Sequence, residues 1–168
     1  DASPTKWHLA HTSWFFEVVV LQVFQPGYVA FDGRYHYLFN SYYEALGPRH
    51  PRPQRGLLPR PSLTDVHAYR DHVNSAMRAF VTHSSAQTWA AAASLVELGL
   101  SHEEQHQELL LTDILHLMAG NPLLPAYAVQ PKPAIGDGTG VLSSRWVPVA
   151  GGVYTIGHGG DGFAFDNE

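Results

Sequence analysis

The chain has 168 residues, enough for one well-packed domain with length to spare. Its 45% hydrophobic and 15% charged content describe a folded globular protein rather than a disordered one. A formal net charge of -5 offers no basic surface for nucleic acid, the lack of cysteine excludes disulfides and thiolate chemistry, and no apolar run approaches the ~20 residues of a membrane span.

The opening "DASPTKWHLAH" lacks a charged n-region followed by an apolar stretch, so no signal peptide is expected and a cytoplasmic enzyme is the default. In chain order, "SPTKWHLAHTSWFFEVVVLQVFQPG" predicts a first helix, with Ser3 as N-cap, Pro4 at the first helical position and Pro26-Gly27 as the stop. Trp7, His11, Trp14, Val18 and Leu21 fall on one stripe at helical spacing, with His8 one step round from it. "GRYHYLFNSYYEALG" reads as a short helix closed by Gly47, and the proline-rich "PRHPRPQRGLLPRPS" as an extended loop carrying Arg49, Arg52, Arg55 and Arg60.

"SLTDVHAYRDHVNSAMRAFVTH" restarts a helix, with Ser62 and Asp65 as a capping box and Val66, Tyr69, Val73, Met77 and Phe80 as its inner stripe. "SAQTWAAAASLVELGLSHEEQHQELLLTDILHLMAG" is the longest helical pattern, interrupted only at Gly99 and stopped at Gly120-Asn121-Pro122. Its strongly apolar end places it at the centre of a bundle. The fold expected is therefore mainly α, a helical bundle over residues 1–128. A Pro- and Gly-rich linker at 129–143 follows. From 144 to 168, "RWVPVAGGVYTIGHGGDGFAFDNE" reads as strand, turn, strand, the start of a second, β-containing domain.

Eleven histidines outnumber the ten lysines and arginines, which raises the expectation of a metal site. His102 and His106 are one helical turn apart and can share a cation, although Glu103, Glu104, Gln105, Gln107 and Glu108 around them also fit a solvated face. "HEEQH" matches the zinc-protease signature, with Glu103 as its base. The later histidines, His116 and His158, do not sit where the extended protease pattern requires a third ligand. His11 lies on an apolar stripe, where an unpaired imidazole is costly. With His102 and His106 it would make a three-histidine site with open positions, the arrangement of a catalytic metal. A bundle with incidental histidines is the non-enzymatic alternative.

Three stretches in this order, "SPTKWHLAHTSWFFE", "HEEQHQELLLTDI" and "GGVYTIGHGGDGFAFDNE", resemble the sulfoxide synthases (hercynine oxygenases) of ergothioneine biosynthesis. That family joins a DinB-like four-helix bundle to a C-type-lectin-like α+β domain of the formylglycine-generating (sulfatase-modifying) type. The resemblance implies a bacterial enzyme with non-haem Fe(II) on His11, His102 and His106, hercynine contacted by Gln105, and a thiol carboxylate held by Arg52 and Arg55. It implies O2-dependent C–S bond formation between hercynine and cysteine or γ-glutamylcysteine. The catalytic tyrosine and most of the trimethylammonium contacts would come from the rest of the second domain, in the same protein or a second chain. Glu108 and its polar neighbours would orient the imidazoles. The alternatives are an ovothiol-type histidine sulfoxide synthase and a DinB-like thiol-dependent Zn(II) or Ni(II) transferase or hydrolase.

Overall fold

The computed structural model describes residues 2–41, 43–128 and 145–165. The chain divides into two compact units, Asp1–Tyr127 and Ala128–Glu168. The first is a helical bundle. Helix α1 (Thr5–Phe15) runs on through a π-helical stretch (Phe16–Leu21) into a last turn, α2 (Gln22–Phe24). A short α3 (Tyr35–Phe39) and two 3-10 turns (Glu44–Leu46 and Arg52–Leu57) lead to the long helices α4 (Leu63–His83) and α5 (Ala86–Ala119).

Helix α1 is the hub, packing on α3, α4 and α5. Its stripe is buried as expected: Trp7, His11, Trp14, Val18 and Leu21 are all inside. They meet Val66, Tyr69, Val73 and Phe80 of α4 in one core, with Met77 partly buried beside them. Ser62 caps α4, its hydroxyl accepting from the Asp65 amide while the Asp65 carboxylate accepts from the Ser62 amide. Helix α5 passes unbroken through Gly99, because that residue lies against the Phe15 and Phe16 rings and has no side chain to collide with them.

Several sequence expectations are corrected. Pro4, not Ser3, occupies the N-cap of α1, without a side-chain cap, because the Ser3 amide is drawn to Asp113 on α5. The aromatic stretch is not one helix: it is α-helical over Tyr35–Phe39, extends at Asn40 and forms a 3-10 turn at Glu44–Leu46. The proline-rich segment is not wholly extended: Arg52–Leu57 forms 3-10 turns, with Pro51 still extended at the N-cap and Pro53 in the first turn, where its fixed φ is compatible. The apolar end of α5 is not central, since Leu109, Leu111, Leu115 and Leu117 are exposed.

In the second unit the expected strand–turn–strand is not formed among the described residues 145–165, which hold only bends and irregular backbone. A strand is stabilised by pairing with other strands, and no partner strand occurs among the described residues. The expected linker at 129–143 lies outside the described residues, as does 166–168. Among the described residues no helix is long and apolar enough to cross a membrane.

Candidate metal centre

Three histidines from two helices converge inside the bundle. His11 projects from α1, and His102 and His106 from one face of α5; each offers a ring nitrogen, and these lie within 4.8 Å of one another. The three residues are 1%, 5% and 8% exposed, so the cluster is an interior one rather than the solvated face of α5. Trp7 and Trp14 stack on either side of His11, with ring centroids at 4.7 and 5.5 Å. Phe15 packs 5.1 Å from the His102 ring.

Burial sets the charge state of these rings. It pushes His11 well below the ordinary imidazole range, with His102 and His106 adding repulsion. It lowers His102 to about 4, and His106 to about 3 with help from His102, His8 and Arg55. At neutral pH all three are uncharged and present lone pairs, the form that binds a cation.

Hydrogen bonds orient the rings. His11 Nδ1 donates to the Phe39 carbonyl at 2.6 Å, which leaves Nε2 as its lone pair. His106 Nδ1 lies 2.9 Å from Nδ1 of His8, and His8 Nε2 lies 3.1 Å from Asp113 Oδ2. Burial lowers the pKa of His8 even against the pull of Asp113, so it too is neutral at pH 7. His102 Nδ1 is buried with no hydrogen-bond partner among the described residues. Such an orphaned nitrogen costs free energy that a bound cation would offset. The donor set fits a divalent transition metal, and three imidazoles suit zinc, iron, nickel and copper alike.

The cluster opens into a cavity of about 260 Å³ lined by Ser3, Ser41, Tyr43, Arg52, Gln105 and Leu109, among others. The three other residues expected at the site, Gln105, Arg52 and Arg55, all reach this cavity. They do not play equal parts. Arg55 is 4% exposed, lies 3.5 Å over the Trp7 ring and donates to the hydroxyls of Ser3 and Ser41, so it forms part of the wall. Arg52 is half-exposed, with one guanidinium nitrogen 4.0 Å from Asp113. Gln105 is on the exposed rim.

The orienting role expected of Glu108 is corrected, and Glu103 has a partner of its own. Glu103, the base of the protease reading, points away from the histidines and pairs with Arg70, which also donates to Leu9 and Thr12 on α1. Glu108 is exposed, and the partners that orient the rings are the Phe39 carbonyl and His8. Sequence reasoning passed over His8 and Asp113. Their signal was spacing: Asp113 follows His106 by seven residues, two turns along the same helical face, and His8 precedes His11 by three.

No curated protein matches the chain in a sequence comparison. The sequence profile described as the DinB superfamily matches residues 1–110, a span that includes all three clustered histidines. With that match over well more than half of its length, and with the helical bundle it describes, the chain belongs to the DinB superfamily.

Proposed function

We propose that this chain carries the metal centre of a non-haem Fe(II), O2-dependent sulfoxide synthase. The reaction would join hercynine to cysteine or γ-glutamylcysteine through a new C–S bond. The observation that supports this reading best is the setting of the triad: three neutral imidazoles border a cavity with two guanidinium groups and an amide on its walls.

His11, His102 and His106 would hold the iron. Bound there, Fe(II) supplies the redox chemistry that O2-dependent C–S bond formation requires. The chain's own residues contribute binding and orientation. Arg52, half-exposed at the cavity, is suited to pair with the carboxylate of the thiol substrate. Arg55 keeps the Ser3 and Ser41 wall in place and adds positive potential. The Gln105 amide can accept from or donate to the imidazole of hercynine. Holding the thiol sulfur and the imidazole carbon in one small cavity lowers the barrier by proximity, a contribution of several kcal/mol.

The test is metal-dependent turnover. Protein completed by the second domain, in the same chain or as a second one, loaded anaerobically with Fe(II) and then given hercynine, cysteine or γ-glutamylcysteine, and air, is expected to yield the sulfoxide by mass spectrometry. Turnover with Zn(II) alone, or completed, Fe(II)-loaded protein that forms no sulfoxide with either thiol, overturns the oxygenase reading.

A further inference from the structure

The proposed reaction makes no use of His8 or Asp113, yet these two connect the triad to the rest of the bundle. Asp113 Oδ2 accepts the Ser3 amide at 2.8 Å and faces His8 Nε2 at 3.1 Å. A carboxylate has no proton to give, so the proton between them belongs to His8 Nε2. Nδ1 of His106 is taken up by His8, 2.9 Å away, so a cation shared with His11 and His102 has to meet His106 at Nε2. The one proton of a ligating His106 then sits on Nδ1, and its acceptor is a lone pair on His8 Nδ1.

We propose that Asp113, acting through His8, is a positioning residue of the metal centre, and that the Asp113–His8 pair fixes His106 as an Nδ1–H imidazole that ligates through Nε2. The inference rests on the reading that the triad holds a divalent cation. His11 receives the same tautomer from a different source, the Phe39 carbonyl. The His106 arm differs in ending on a carboxylate, which makes the ring a more basic ligand than a carbonyl partner can. Asp113 is itself held by the Ser3 amide, with Arg52 4.0 Å from its other oxygen, so its own rotation is restricted.

The test combines Zn(II) affinity with tautomer assignment. Long-range proton–nitrogen correlation spectra of the metal-free and Zn(II)-loaded protein are expected to show His106 protonated at Nδ1 and metallated at Nε2. His8→Leu and Asp113→Ala are each expected to weaken Zn(II) binding roughly 10- to 100-fold. Asp113→Asn keeps an oxygen for both the Ser3 amide and His8, and is expected to recover most of that loss. The unsubstituted protein decides the matter even if a variant fails to fold: a His106 protonated at Nε2 overturns the inference. So does parent-like Zn(II) affinity in both His8→Leu and Asp113→Ala, when His106→Ala has lost the metal. If the parent binds Zn(II) no better than His106→Ala, it is the underlying metal reading that falls.

Discussion

Gly99 of α5 meets Phe16 of the π-helical stretch so closely that a methyl group on Gly99 would stand 2.6 Å from the ring, and 3.0 Å from that of Phe15. Gly99→Ala therefore sets two effects against each other. Helix propensity favours alanine by about 1 kcal/mol, whereas overpacking costs about 1–3 kcal/mol. Phe15 is fully buried and cannot retreat freely, so the clash is expected to win. A net loss of about 1–2 kcal/mol in urea unfolding is expected. Because Phe15 also packs on His102, metal affinity should fall with it.

The ligands and the rim residue separate cleanly. His106→Ala is expected to abolish metal binding and His11→Ala to weaken it severely, read by equilibrium dialysis with Zn(II) or anaerobic Fe(II). Gln105→Ala should bind metal like the parent and instead raise the hercynine concentration needed for half-maximal turnover. Loss of the metal in Gln105→Ala would give that residue a structural role.

The metal-free protein should lose stability in mild acid. Burial holds His8, His11, His102 and His106 below the ordinary imidazole value of 6.5, so the unfolded chain binds more protons once the pH falls beneath it. Their contribution is complete above pH 6.5 and declines as pH drops, down to about 4 for His102 and about 3 for His106. Each histidine contributes a slope of at most about 1.4 kcal/mol per pH unit. Urea midpoints measured at pH 7.5 and 5.5 are expected to differ clearly. Equal midpoints would mean that the rings are not buried in their neutral form.

Glu17 gives a prediction remote from the metal. Its carboxylate is 1% exposed and accepts from the Tyr28 hydroxyl, the Phe31 amide and the Tyr69 hydroxyl. Burial, together with this carboxylate, raises the pKa of both tyrosines. Glu17→Ala leaves three donors without their acceptor in or near the core and opens a cavity, an expected loss of about 3 kcal/mol in a denaturant titration.

The two cavity arginines should behave differently. Arg55→Ala removes a guanidinium stacked on Trp7 and two hydrogen bonds, and is expected to cost about 2 kcal/mol of stability. Arg52→Ala should change stability by under about 0.5 kcal/mol while raising KM for the thiol about tenfold. Thermal melts and steady-state kinetics on the two variants make the comparison.

Periodicity was enough to find α1 and α4, since Trp7, Trp14, Val66 and Tyr69 follow the 3.6-residue repeat that burial requires. It also brought His11 into the site, because an imidazole on an apolar stripe must face the interior. The π-helical stretch Phe16–Leu21 carries no comparable mark in the sequence. Glu108 misled because sequence distance to a ligand is not direction. Glu103 lies beside His102 in the chain but on the face turned to Arg70. Asp113, seven residues from His106, shares its face.

The triad has a mechanical consequence as well as a chemical one. His11 and His102 belong to helices some ninety residues apart in sequence, so a cation shared between them closes a loop spanning most of the bundle, restricting the unfolded chain as a cross-link does. In a chain without cysteine, such an ion would do the work of a disulfide. Unlike a disulfide, it strengthens with the logarithm of free metal concentration. If the triad takes up a cation, the unfolding temperature of this bundle becomes a gauge of how much metal surrounds it.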